Sequence, residues 1–260
     1  MLNQAQRDRL TVVLVSPRNP LNIGAVARAM ANFGFAHLAV VDAYEPQWRD
    51  ARSAVGAPEL LQNAEATQSL AEAVARHTLV LGTGTLTYRR PDQPVVPLPA
   101  LGPLVQQELD RNGRIAILFG SEKRGLSRDD LSFCHALVEI PTDPRQPSMN
   151  LGQAAAVCLY ELAREAAQAA ALSDADTRIP SEPALEPPVI DSATIERLGN
   201  LIEETMIAAR YSPESMREIN RHDLRVVLRR MNLSPLDSRR IFGLFRRILN
   251  RLRNRGERQS

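Results

Sequence analysis

The stretch Glu139–Glu161, EIPTDPRQPSMNLGQAAAVCLYE, decides how this chain is read. It begins as the end of an apolar strand, Leu137–Ile140. Pro141, Pro144 and Pro147 then forbid regular structure. From Asn150 a helix is expected, because Ala154, Ala155, Val157, Cys158 and Leu162 recur at helical spacing. A stiff extended loop therefore delivers Ser148, Met149 and Asn150 to a helix N-terminus. Unpaired N–H groups and the positive end of the helix dipole gather there. A well-capped helix after a proline-rich loop has the same spelling, since Ser and Asn are common caps. The stretch gains chemical meaning only beside two others upstream.

Working outward, apolar runs alternate with helical ones. Thr11–Val15, His37–Val41, Thr78–Leu81, Arg114–Phe119 and Leu137–Ile140 read as strands. Asn22–Phe33, Thr67–Arg76, Leu101–Arg111 and the run from Asn150 read as helices, with a short one at Ser127–Phe133 capped by Ser127. Tyr44–Ala57 reads as irregular with a short helix, and Gly82–Pro99 as a long loop. Alternation of this kind predicts an α/β domain with a mainly parallel sheet, set at residues 1–172. Ser173–Pro188, SDADTRIPSEPALEPP, has no apolar period and reads as a linker, placed at 173–190. Residues 191–260 read as a small helical extension. Its stripes are Ile195, Leu198, Ile202 and Met206; then Leu224, Val227, Leu228 and Met231; then Ile241, Leu244, Phe245, Ile248, Leu249 and Leu252.

Composition excludes several classes. The 260 residues, 44% hydrophobic and 24% charged, suit a packed globular protein. The two cysteines, Cys134 and Cys158, lie in apolar text and predict packing residues rather than a disulfide framework. The four histidines share no metal-ligand spacing, so no metal is expected. The N-terminal text has no apolar signal core and no run predicts a membrane span, which gives a cytoplasmic expectation. Charge is uneven. Arg197–Ser260 carries 15 arginines against 7 acidic residues, whereas the whole chain is only +2. A weakly acidic body with a basic tail predicts a polyanionic partner.

Two upstream motifs join the opening stretch. Asn22-Ile-Gly-Ala-Val-Ala-Arg28 follows the first strand, where a dinucleotide fold would place its glycine fingerprint, which is absent. Gly24 permits close approach of a backbone or ligand, and Arg28 offers a cation for phosphate. Leu118-Phe-Gly-Ser-Glu-Lys-Arg-Gly-Leu126 ends a strand in a glycine-bounded polar loop. That is where parallel α/β sheets bind ligands. Glu122 is the acceptor there. Leu81-Gly-Thr-Gly-Thr-Leu-Thr87, followed by Arg89 and Arg90, lacks the Gly-Lys of a phosphate loop.

In this order, N-x-G-x-x-x-R, F-G-S-E-x-x-G-L and I-P…S-M-N-L-x-x-A, the text resembles the SpoU branch of the SPOUT RNA methyltransferases over residues 8 to 170. The tail is similar, more loosely, to the helical extension of the TrmJ group, with Leu224–Arg230, LRVVLRR, the aligned part. The resemblance implies a SPOUT α/β knot, a deep trefoil with a mainly parallel sheet. It implies S-adenosylmethionine as cofactor, and a homodimer with sites at the subunit interface. The substrate would be tRNA, methylated on the ribose 2′-oxygen of the first anticodon-loop nucleotide, cytidine or uridine 32. Carried over by motif, Thr83, Gly84, Thr85, Gly120, Ile140, Ser148, Met149 and Asn150 would hold the cofactor. Arg28 would be the catalytic arginine, with Asn22, Glu122, Ser148 and Asn150 in support. An enzyme of the same family acting on ribosomal RNA, or a knotted RNA-binding protein without activity, stand as alternatives.

Overall fold

The computed structural model describes residues 2–84, 91–173, 189–211 and 213–256. Seven strands, β1 (Leu10–Val15), β2 (His37–Val41), β3 (Glu65–Thr67), β4 (Leu79–Thr83), β5 (Val95–Pro97), β6 (Ile115–Phe119) and β7 (Ala136–Glu139), form one sheet. Their order is β3-β2-β1-β6-β4-β7-β5, and every pairing is parallel. The central strands β1, β4 and β6 are buried along their whole length. Continuous apolar runs such as TVVLV require this, because helices must cover both faces of a parallel sheet.

Side-chain alternation divides β1 between the two faces. Leu10, Val12 and Leu14 enter one core, and Val13 and Val15 the other. The helices are α1 (Gln4–Arg7), α2 (Pro20–Phe33), α3 (Pro58–Gln62), α4 (Leu70–Val74), α5 (Leu101–Asp110), α6 (Arg128–Ser132) and α7 (Leu151–Ser173), then α8 (Ser192–Ala208), α9 (Arg217–Arg230) and α10 (Pro235–Gly256). The larger core sits under α2, α5 and α7, through residues such as Ile23, Met30, Val105, Cys158 and Leu162. α2 crosses α7 closely, since a Cβ on Gly152 would stand 2.8 Å from the Cβ of Ala25. Among the described residues, no helix is long and apolar enough to cross a membrane.

Several boundaries differ from the sequence expectation. α2 starts at Pro20, not Asn22, because Asn19 caps it by accepting from Leu21 N and proline suits the first turn. Thr67 belongs to a short strand, and the helix expected at Thr67–Arg76 is confined to Leu70–Val74, capped by Ser69. β4 runs on to Thr83, and the supposed loop Gly82–Pro99 contains edge strand β5. β3 and β5 have three residues each, too short for a period-2 pattern to register. Both cysteines are free and buried, and burial pushes each thiol up to about 12. The text expected as linker falls mostly outside the described residues, although Ile190 is already packed among the C-terminal helices.

α8, α9 and α10 share a third core built on Ile195, Leu198, Ile202, Leu228 and Leu233. Val227, Met231, Leu244 and Ile248, expected to face inward, are exposed; Leu249 is buried as expected, and Val226, outside the expected stripes, is buried as well. These helices are pinned to the sheet domain. Ser192 donates from both N and Oγ to the His77 carbonyl, at 2.9 and 3.0 Å. Arg225 bridges Asp129 at 3.0 Å and Glu196 at 3.1 Å. The side chain of Arg229 is fully buried; its Nε donates to the Phe133 carbonyl at 2.9 Å and its Nη2 to Glu196 at 3.1 Å. Both guanidinium groups lie over the Phe133 ring, at 4.2 and 5.2 Å. Burial lowers the Arg229 pKa against the opposing pull of Glu196. Burial, with Arg229 nearby, also holds the neighbouring His135 down at about 3, so its ring stays neutral.

Two of the arginines in LRVVLRR are therefore internal fasteners, and a third basic residue of α9, Arg221, pairs with Glu203 at 3.0 Å. Arg229→Ala should lower stability by about 3 kcal/mol, because it empties a buried site, leaves the Phe133 carbonyl without its donor and leaves Glu196 with Arg225 as its remaining partner. Arg229→Lys should lose nearly as much, since one ammonium cannot reproduce the planar two-partner contact. Urea unfolding measures both; losses under about 0.5 kcal/mol would show that the pin does not matter.

Candidate active site

The carboxyl ends of β4, β6 and β7 open onto a cavity of about 340 Å³. Each contributes a segment: Thr83 and Gly84 after β4, Gly120–Leu126 after β6, and the proline-rich loop after β7. This is the position parallel sheets reserve for ligands. The β6 loop doubles back on itself. Gly125 N donates to Ser121 O at 2.8 Å, and Gly125 takes a φ of +65°. A Cβ on Gly120 would lie 2.0 Å from the Gly125 carbonyl carbon, so only glycine fits there. In the β7 loop, Thr142 Oγ1 donates to Pro147 O at 3.2 Å and closes the bend.

A line of hydrogen bonds joins the three motifs. Glu122 Oε2 accepts from Arg18 N at 2.9 Å, and Oε1 accepts from Asn19 N at 3.0 Å and from Asn22 Nδ2 at 2.8 Å. Asn22 Oδ1 in turn accepts from Asn150 Nδ2 at 3.0 Å. Asn150 Oδ1 accepts from Gly152 N at 2.9 Å, capping α7. Only one orientation of each amide satisfies this series. An ionised carboxylate can only accept, so Asn22 must turn its NH2 toward it and its oxygen toward Asn150. Burial alone would raise the Glu122 pKa. The bonds from Asn22, from Arg18, from its own backbone N–H and from Asn19 outweigh that and hold it below the ordinary carboxylate value.

The expected site residues separate into groups. Gly84, Gly120, Glu122, Ile140, Ser148 and Met149 line the cavity. Thr83 also lines it, but its hydroxyl proton is given to Leu118 O at 2.8 Å, so its side chain has no donor left for a ligand. Asn22 and Asn150 are not in the wall; they fasten it through the amide series. Ser148 is not the helix cap; that role falls to Asn150. Thr85, Arg89 and Arg90 lie outside the described residues. Arg28 is exposed on α2 and does not line the cavity of its own chain. Six residues after Asn22, it projects about 240° around the helix from it. Gly24 serves packing: its Cβ would meet Ala54 N at 2.9 Å.

Sequence reading missed Leu126, Thr142, Leu151 and Ala154 in the wall, and the backbone amides of Arg18 and Asn19. The signal for Leu126 is its place just after Gly125. Main-chain donors leave no mark in the residue letters.

The pairing of Glu122 has a pH signature. Folding lowers its pKa, so the carboxylate adds stability that is complete above the unfolded-state value. That stability is lost as pH falls through the folded-state value. Thermal unfolding of the wild type and of Glu122→Gln should differ at neutral pH and converge on acidification. A difference constant with pH would count against the pairing.

Comparison with known proteins agrees with this geometry. The sequence pattern of the SpoU rRNA Methylase family matches residues 9–160, the segment that carries all three motifs. The tRNA (cytidine/uridine/adenosine-2′-O-)-methyltransferase TrmJ of Pseudomonas aeruginosa is 37% identical over 161 residues, 60% of this chain and 60% of that protein. The chain thus spans about three fifths of that relative's length. The tRNA (cytidine/uridine-2′-O-)-methyltransferase TrmJ of Klebsiella pneumoniae is 32% identical over 206 residues, 77% of this chain and 80% of that protein. The crystal structure of TrmJ from Z. mobilis ZM4 superposes with a TM-score of 0.77 at 26% identity, covering 92% of this chain and 98% of that one. With the family pattern spanning the whole sheet domain and the likeness to TrmJ continuing into the C-terminal helices, the chain belongs to the SpoU rRNA Methylase family, on the branch it shares with the TrmJ proteins.

Proposed function

We propose that this chain transfers a methyl group from S-adenosylmethionine to a ribose 2′-hydroxyl of tRNA, at cytidine or uridine 32, in the cytoplasm. One observation carries the reading. The amide series from Glu122 to Gly152 gathers three distant motifs at the rim of a single cavity. The names of the TrmJ relatives supply the substrate class. The deep trefoil knot and the division into a methyltransferase domain (1–172) and a basic extension (191–260) belong to the same proposal.

The cavity fits such a methyl donor. Its volume is at the lower end of small-molecule sites. Gly84 and Gly125 leave open space where a Cβ would stand, so a ligand can lie against bare backbone. Leu126, Ile140, Met149 and Ala154 give apolar walls, and Thr142 and Ser148 give hydroxyls. Gly84, Gly120, Ile140, Ser148 and Met149 would hold the cofactor, with Thr85 beside them. Bound there, S-adenosylmethionine supplies a methyl carbon activated by its sulfonium.

The residues of the chain do the rest. A guanidinium stays protonated, so Arg28 does not act as a base. It orients the ribose hydroxyl and stabilises the charge that develops on its oxygen. The working unit in this reading is a homodimer in which Arg28 serves the cavity of the second copy; its exposure and its absence from its own cavity support that role. Glu122, held as an acceptor by three donors and with its pKa lowered, clamps the N-terminus of α2 and is a poor base toward substrate. Ser148, exposed at the rim, is free to meet the sugar. With Arg225 and Arg229 internal, the phosphate grip falls to exposed arginines of α10, such as Arg239, Arg246, Arg247 and Arg251.

Labelled methyl transfer to bulk tRNA, followed by nucleotide mapping, tests the activity. Label on the 2′-oxygen of nucleotide 32 is expected; label only in ribosomal RNA would move the substrate, and none in any RNA would end the reading. Arg28→Ala should cut kcat at least about a hundredfold and leave cofactor affinity within threefold. Co-expressed with Gly84→Trp, which fills the cavity, Arg28→Ala should regain activity in the mixed dimer. No recovery would place Arg28 in its own chain's site.

A further inference from the structure

Resting on the RNA substrate proposed above, we infer that Arg18 and Tyr44 form a docking platform for an unstacked nucleotide beside the acceptor ribose. Arg18 lies in the turn between β1 and α2, and Tyr44 just after β2, so both stand on the sheet edge that carries the cavity. The Arg18 guanidinium lies over the Tyr44 ring, 4.9 Å from its centroid. Both side chains are nonetheless open to solvent, and Tyr44 is 65% exposed in a chain with only 4% aromatic residues. Tyr160 and Tyr211 are exposed as well, at 52% and 73%; Tyr44 differs in carrying a guanidinium over its ring beside the cavity wall.

The pair is held rigidly to the site. Tyr44 N donates to Pro17 O at 3.1 Å, and the next residue, Arg18, donates its own N–H to Glu122 in the cavity wall at 2.9 Å. Ser16 and Asp42, at the ends of β1 and β2, both take φ of 47° and are joined by a hydroxyl–carboxylate contact at 3.4 Å. A base brought against this surface is therefore registered to the cavity through covalent and hydrogen-bonded links alone.

The chemistry suits a nucleotide. Among the described residues no carboxylate lies within ion-pair distance of Arg18, so its charge is available to a phosphate. Aromatic faces take bases of any sequence by stacking, and arginine adds a cation–π contribution. Presenting a loop ribose to a cavity requires its neighbours to be drawn out of their stack, and such a platform holds one of them.

Steady-state kinetics of the full chain, varying tRNA and S-adenosylmethionine separately, tests this. Tyr44→Ala should raise KM for tRNA about tenfold and leave KM for S-adenosylmethionine within twofold. Tyr44→Phe, which keeps the ring, should restore the wild-type value. Arg18→Ala should flatten the dependence of log affinity on log salt by about one unit. Unchanged tRNA values in both variants, or equal changes for tRNA and cofactor, would overturn the platform. Filter retention of labelled tRNA is measured alongside. If the wild type binds tRNA without methylating it, the enzymatic reading fails, yet weaker retention by Tyr44→Ala still supports the platform. If the wild type retains no tRNA, the platform fails too.

Discussion

One carboxylate at the cavity wall organises the site. Glu122 comes from the loop after β6, and its three donors come from the start of α2 and the turn before it. A helix N-terminus offers unpaired N–H groups and a partial positive charge, so an anion settles there readily. The consequence travels further than the pair. A group that can only accept fixes the orientation of Asn22, which fixes Asn150, which caps α7. Two amides that rotate freely in solution become a directed connection between chain segments 128 residues apart. The cavity walls keep their spacing because that connection has only one satisfied arrangement.

Glycine does complementary work by removing obstruction. Gly120 lets the β6 loop fold onto itself, and Gly152 lets α7 come close to α2. Without the first, Glu122 would point elsewhere. Without the second, Asn150 would stand back from Asn22. The polar series and the close helix crossing are thus a single solution: the crossing sets the separation, and the hydrogen bonds set the direction.

Much of this was legible in the letters. The central strands are continuous apolar runs, and a sheet buried on both faces produces that spelling. The three motifs were visible because loops at the carboxyl ends of strands carry glycine, proline and polar residues that interrupt strong periodicities. What stayed hidden had physical causes. β3 and β5 are too short to show a period, and their pairing is decided by neighbours. The amides of Arg18 and Asn19 are main-chain groups that any residue would supply. Spacing places Asn22 and Arg28 in one motif, but helical geometry turns them to different faces. In the tail, a stripe of Leu224, Val227, Leu228 and Met231 looked sufficient. The real core uses Val226 at the expense of Val227, because α9 also faces α6 and its two sides compete for apolar residues.

The arginines show why charge counted in a sequence is not charge available to a partner. The excess of basic residues after Arg197 is real, yet α9 commits Arg221, Arg225 and Arg229 to carboxylates of the same chain, Glu203, Glu196 and Asp129. Two of them bracket Phe133, at the end of the short helix between β6 and β7. That helix follows the glycine loop holding Glu122 by only a few residues. The C-terminal helices are thereby braced against the strand-to-strand connection that forms one cavity wall. An RNA drawn to the outer arginines of α10 would pull on a unit already locked to that wall. Binding at the tail and order at the cavity would then be mechanically continuous, with Phe133 as the joint between them.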